Sequence, residues 1–122
     1  MRQHFTTIKL QSKNTVDFID ITEKISDCLS KTSIKNGCVV IYSKHTTSSI
    51  RINENEKRLA KDMKEFLEKL APREGHYLHD DIEMRPDCNP NERLNGHAHL
   101  KNLLLNSSEF IPVQKGKMVL GR

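Results

Sequence analysis

Cys38-Val39-Val40-Ile41-Tyr42-Ser43-Lys44-His45-Thr46-Thr47-Ser48-Ser49-Ile50-Arg51-Ile52-Asn53 is the stretch on which the fold turns. Cys38 to Ser43 is a compact β-branched run, the pattern of a strand buried on both faces. Ser48 to Asn53 alternates Ile50 and Ile52 with polar residues, the pattern of a strand with one wet face. The motif around His45 joins the two by a connection of hairpin length, which favours antiparallel pairing over a wound parallel sheet.

Downstream, Leu59, Met63, Phe66, Leu67 and Leu70 recur with a helical period, so a helix is predicted from Lys57 to Ala71, stopped by Pro72. Asn55 is placed to cap it and Glu56 to favour its positive end. Upstream, the alternation from Phe5 to Leu10 predicts a first strand, followed by a polar turn at Ser12 to Asn14. Asp20 with Glu23 resembles a capping box, and Ile21, Ile25, Cys28 and Leu29 follow at helical spacing until Asn36-Gly37 ends that unit. Between Arg73 and Gly96 the chain is polar and carries Pro86 and Pro90, which predicts a functional loop. A short helix through Leu100, Leu103 and Leu104 comes next. Phe110 to Val113 and Met118 to Leu120 then form a hairpin around Lys115-Gly116, with Pro112 implying an edge strand or a bulge. The order β-α-β-β-α-loop-α-β-β gives an α+β class: a mixed, mainly antiparallel sheet packed with two to three helices.

The chain has 122 residues, enough for one domain around one core, and 35% of them are hydrophobic. Its net charge of +4 suits a phosphate-bearing ligand. Basic and acidic residues are interleaved, and four Phe, two Tyr and no Trp make a poor stacking platform, so no nucleic-acid partner is expected. Three cysteines, none in a Cys-x-x-Cys pair, and an N-terminus without a signal-like apolar run point to the reducing cytoplasm. Apolar runs are too short for membrane insertion. No Walker loop, dinucleotide fingerprint, nucleophile elbow or His-Glu-x-x-His motif occurs.

What carries chemistry is the clustering of five of the six histidines. His45 leads into Thr46, Thr47, Ser48 and Ser49, whose hydroxyls and amides could cradle a phosphate, although such residues also serve plain turns. Glu54 is left over once the helix start is capped, and its carboxylate could orient an imidazole or help hold a divalent cation. In His76-Tyr77-Leu78-His79-Asp80-Asp81 the better candidate is His79, with Asp80 beside it to fix its tautomer, while His76 reads equally as a solvated polar residue. In Asn95-Gly96-His97-Ala98-His99-Leu100-Lys101 one imidazole is expected in the site, and His99 can sit at a helix entrance with its ring turned inward. Arg73, Arg85 and Arg93 are available to anions. Cys28 and Cys38 read as small hydrophobes, and Cys88 lies in the polar loop.

Taken in order, His45-Thr46-Thr47, Ile52-Asn53-Glu54-Asn55, Tyr77-Leu78-His79-Asp80, Asn95-Gly96-His97-Ala98-His99-Leu100-Lys101, Ile111-Pro112-Val113, Gly116-Lys117 and Leu120-Gly121 resemble the YjbQ family across nearly the whole chain. The resemblance implies a compact α+β fold, a homotrimer and secondary thiamine-phosphate synthase activity. That reaction joins a pyrimidine pyrophosphate to a thiazole phosphate and releases pyrophosphate. Carried over by position, His45, Glu54, His79, Asp80 and His99 match the family's polar pattern, and His97 belongs to a variant of the third motif. His45, His79 and His99 are the expected ligands of a divalent metal, magnesium or zinc. Thr46, Thr47, Ser48, Arg85 and Arg93 are the expected contacts to a small phosphorylated metabolite. Two other readings stand beside it: a zinc-dependent hydrolase with three imidazoles around an open position, and a non-catalytic trimeric metabolite-binding module. Family members usually continue past Leu120-Gly121 with a Trp-Gln-containing segment and a further strand. A single domain ending at Arg122 is expected to lack that strand and leave a sheet edge unpaired.

Overall fold

A computed structural model describes residues 2–121. The elements are α1 (Thr22–Ser30), β1 (Gly37–Tyr42), α2 (Lys57–Leu70), 3-10 turns at Leu78–Asp80 and Ile82–Met84, α3 (Gly96–Asn102), β2 (Ser108–Gln114) and β3 (Lys117–Met118). The α+β class is as expected. Contacts divide the chain into two compact units, Met1–Ile41 with Phe110–Arg122, and Tyr42–Glu109.

In the first unit the buried side chains are Ile25 and Leu29 on α1, one turn apart, and Ile111 and Val113 on β2, two residues apart. These are the helix and strand periods that the hydrophobic pattern demands, and each such side chain is worth about 1.5–3 kcal/mol when fully buried. Asp20 Oδ1 accepts the Thr22 amide at 2.9 Å, so the carboxylate serves the first turn of α1 from one position before its cap, Ile21. The strands lie in the order β1-β2-β3. The Ser43 amide donates to Ser107 O at one end and the Gly116 amide to Lys35 O at the other, which is an antiparallel sense for β1 and β2. Antiparallel β2 and β3 pair Val113 with Met118 and Gln114 with Lys117. The hairpin turns on Lys115 and Gly116, both with positive φ, 51° and 77°, as a two-residue turn of the primed type requires.

Several expectations are corrected. Phe5 to Leu10 forms no strand: its alternation is genuine, but a strand exists only by pairing, and among the described residues the sheet pairs β1, β2 and β3 without it. Phe5 is 86% exposed. Ser48 to Asn53 is not a strand either. The Ile50 amide donates to Asn106 O, and Ser43 also bonds into this approach to β2, so β2 takes the pairing expected of the Ile50 segment. β1 is not buried on both faces: Val39 and Ile41 are half-buried, whereas Val40 and Tyr42 are exposed. Pro112 sits in the central strand and not at an edge. Its carbonyl accepts the Val119 amide, but its ring nitrogen has no proton to return, and β3 ends at Met118.

In the second unit, α2 matches its predicted span, but the cap is Glu56, whose carboxylate accepts the Arg58 and Leu59 amides at 2.8 Å each. Those two amides hold the Glu56 carboxyl below the usual range. Its core is small, comprising Leu67 and Ala71 with the buried polar residues His97 and Lys101. The short helix begins at Gly96 and stops at Asn102, so Leu103 and Leu104 lie beyond it and are exposed. No helix among the described residues is long and apolar enough to cross a membrane.

Candidate functional site

The site lies where the first 3-10 turn meets the start of α3, both in the Tyr42–Glu109 unit. Gly96 makes the approach possible. A Cβ there would stand 2.7 Å from Tyr77 Cβ, closer than packed atoms allow, and a tight 3.2 Å from Asp80 Oδ1. In place of a side chain, the Gly96 amide donates to Asp80 Oδ1 at 2.9 Å. This contact brings the ring of His79, on the turn, to that of His99, on α3: the centroids are 4.7 Å apart and the planes 70° to each other, an edge-to-face arrangement.

His79 Nε2 is 3.1 Å from Asn95 Oδ1 and 3.8 Å from Glu92 Oε1. Arg85 Nη1 donates to that same Glu92 oxygen at 3.2 Å and to the carbonyl of His79 at 2.9 Å. The partner of the His79 ring is therefore Asn95, with Glu92 behind it. Asp80 instead engages Gly96. The sequence pattern singles out neither Asn95 nor Glu92, because loop residues sixteen and thirteen positions from His79 have no periodic relation to it. Arg85, read from sequence as a phosphate contact, spends Nη1 inside the protein.

The other expected residues are distributed differently. His45 is exposed, and its carbonyl accepts the Ser48 amide at 3.3 Å, closing the turn. Ser48 Oγ meets Ser43 Oγ at 2.5 Å, so both the amide and the hydroxyl of Ser48 serve the loop itself. Thr46 and Thr47 are exposed at its tip. Ser49 Oγ donates to Asn102 Oδ1, which ties this turn to the end of α3, one helical turn beyond His99. Glu54 and Arg93 are exposed, and His76, 69% exposed, lies 3.8 Å from Asp81.

Among the described residues, then, two of the three expected imidazoles meet, His79 and His99. Among the described residues no group of three or more His, Cys, Asp or Glu side chains is arranged to hold a metal ion. Among the described residues, the donors do not fit the expected metal centre of His45, His79 and His99, nor a zinc site with three imidazoles and an open position.

Behind the site, His97 is 7% and Lys101 6% exposed. Lys101 Nζ donates to Glu68 Oε2 at 2.7 Å, and Glu68 Oε1 accepts the Arg73 amide at 2.6 Å. The Lys101 hydrogen bond, followed by the Arg73 amide, holds the Glu68 carboxyl below its usual range. Burial, followed by the charge of Lys101, pushes the His97 imidazole down. The Tyr77 ring lies 6.5 Å from that of His97, and its hydroxyl donates to Pro72 O at 2.6 Å. Burial, with Glu68 and Asp80, pushes the Tyr77 phenol up. The two histidines of the third motif thus part company, His97 into the core and His99 to the site.

Fold and site together define an α+β protein with a paired-histidine centre built on a loop and a short helix. The chain belongs to the YjbQ-like UPF0047 protein family, whose model matches residues 6–122. It is 37% identical to a UPF0047 protein of Archaeoglobus fulgidus over 93% of this chain and 80% of the relative. A UPF0047 protein of Methanothermobacter thermautotrophicus is 36% identical over 99% of this chain and 78% of its own length. Among solved structures, an uncharacterised conserved protein of the YjbQ/UPF0047 family from Clostridium acetobutylicum superposes with a TM-score of 0.78 at 32% identity, covering 93% of this chain and 79% of that one.

Proposed function

We propose that this chain is a transferase with thiamine-phosphate-synthase-like activity, joining a pyrimidine pyrophosphate to a thiazole phosphate. The thiazole nitrogen attacks the methylene carbon of the pyrimidine, the carbon–oxygen bond breaks, and pyrophosphate departs with its electron pair. The nitrogen is already nucleophilic, so positioning and relief of the leaving group's charge matter more than a strong base. The observation that supports the reading is the 4.7 Å approach of His79 and His99, two proton carriers side by side, one of which is proposed to donate to a departing phosphate oxygen. Exposed Thr46, Thr47 and Arg93 are the proposed phosphate contacts, with Asp80 fixing the turn that carries His79. No step is routed through a protein-held metal.

The test incubates purified protein with both substrates and magnesium and compares His79→Ala and His99→Ala. Product formation that falls at least about 100-fold in each variant is expected of a proton carrier. Equal turnover in wild type and variants would exclude the assignment, and substrate binding without product would leave a metabolite-binding module.

We also propose a homotrimer working in the cytoplasm. Val40 and Phe110, 64% and 63% exposed, are apolar strand residues suited to a subunit contact, and the three cysteines are free. Light scattering is expected to report three chains, and a monomer would overturn the assembly.

A further inference from the structure

We infer that His79 is held in a single tautomer, with its proton on Nε2 and the lone pair of Nδ1 left for chemistry, and that Asn95, Glu92 and Arg85 are the positioning residues that hold it so. Nε2 faces two oxygens, Asn95 Oδ1 at 3.1 Å and Glu92 Oε1 at 3.8 Å. A carboxylate offers only lone pairs, so the state of Nε2 that Glu92 tolerates is the protonated one. That also fixes the orientation of the Asn95 amide. Turned the other way, it would place an N–H against Nε2, force the ring proton onto Nδ1, and leave the Nε2 lone pair facing a carboxylate.

Arg85 makes the arrangement stiff. One guanidinium nitrogen binds both the Glu92 carboxylate and the backbone carbonyl of His79, so the acceptor is anchored to the residue it orients. Glu92, half-buried beside an imidazole, would otherwise swing into water at little cost. Arg85 is thereby reassigned from substrate contact to brace. The second imidazole, His99, packs against the ring and adds no competing acceptor at Nε2 among the bonds seen there. In the neutral ring Nδ1 is then the atom that accepts a proton or contacts a ligand. This rests on the proposed function only in taking His79 as a working imidazole.

The experiment is NMR of protein 15N-labelled in its histidine rings, at roughly pH 8, above the ordinary imidazole range. The His79 resonances are identified by their loss in His79→Gln. Wild type is expected to show the proton on Nε2 by at least about tenfold over Nδ1, the factor a single hydrogen bond supplies. Asn95→Leu combined with Glu92→Gln is expected to bring both tautomers into comparable population, whereas Asn95→Asp keeps the wild-type form. A wild-type ring protonated on Nδ1, or a double variant with an unchanged ring spectrum, overturns the inference. Should the double variant not fold, Arg85→Lys is read in its place and is expected to weaken the preference; no change in a folded variant counts against the brace. Turnover is measured separately, so an Nε2-protonated ring in a protein without activity would sink the transferase reading and leave this one intact.

Discussion

Lys101 Nζ on α3 lies 2.7 Å from Glu68 Oε2 on α2, a bond between a side chain 6% exposed and one 47% exposed. The asymmetry decides what each partner is worth. Removing the carboxylate strands a buried ammonium, whereas removing the ammonium merely returns a half-exposed carboxylate to water. Glu68→Ala is expected to cost about 1–3 kcal/mol and to lower the melting temperature by roughly 5–10 °C. Lys101→Met keeps the stem's volume and should stay within about 1 kcal/mol of wild type. Thermal melts that showed equal losses for the two variants would contradict this account of the pair.

His97 gives stability a pH dependence. Burial pushes its imidazole below the ordinary value, so in the interval beneath about pH 6.5 the unfolded chain binds a proton that the folded chain refuses. The unfolded state holding more protons, stability rises with pH in that window. The contribution is fully present above the unfolded value and is lost as pH falls through the folded one. Glu68, whose carboxyl is held down by Lys101, follows the same sign but at more acidic pH, beneath the ordinary carboxylate value. Melts at pH 7.5 and 5.5 separate the two groups. His97→Met should flatten the difference between those pH values relative to wild type, and an unchanged difference would place the titrating group elsewhere.

Gly96 is expected to tolerate no side chain. The Cβ of Gly96→Ala would meet Tyr77 Cβ at 2.7 Å, part of a packed ring's root that has nowhere to move. Overpacking of this kind costs about 1–3 kcal/mol, against the helix-propensity gain of up to about 1 kcal/mol from replacing glycine. The net effect is a loss, and because the Gly96 amide also holds Asp80, the His79–His99 contact should open. A crystal structure or ring-proton NOEs between His79 and His99 would report it. A more stable Gly96→Ala protein with the contact retained would refute the packing argument.

What could be read from sequence follows the range of the interaction. The α2 helix was legible because Leu59, Met63 and Leu67 repeat with the helix period, and the Lys115-Gly116 hairpin because its turn chemistry is local. The Phe5 to Leu10 and Ser48 to Asn53 segments were misread because alternation records which side of a strand would be dry and not whether a partner strand is there. At the site, motif order marks His45, His79 and His99 as candidates but not which rings meet, and it names the wrong partner for His79: Asp80 is its neighbour in sequence and Asn95 its neighbour in space. Gly96, directly before His97, is the local residue that admits the approach, since a Cβ there would meet Tyr77 Cβ at 2.7 Å.

The β2–β3 turn offers the cleanest stability gain. Lys115 adopts φ 51°, a left-handed conformation that costs a residue with an ordinary Cβ about 1–2 kcal/mol, and its amide is bound to Asn36 Oδ1 at 3.3 Å. Asparagine enters that region more readily and preserves the amide, so Lys115→Asn should stabilise the chain by about 0.5–1 kcal/mol. Gly116, at φ 77°, should show the reverse. The β-branched side chain of Gly116→Val would be strained whatever space it found, and the Gly116 amide that reaches Lys35 O would be displaced with it. Paired denaturant titrations are expected to move the two midpoints in opposite directions with little change in slope. If Gly116→Val were neutral, the turn would have to relax to another type, and the pairing of Val113 with Met118 would shift register with it.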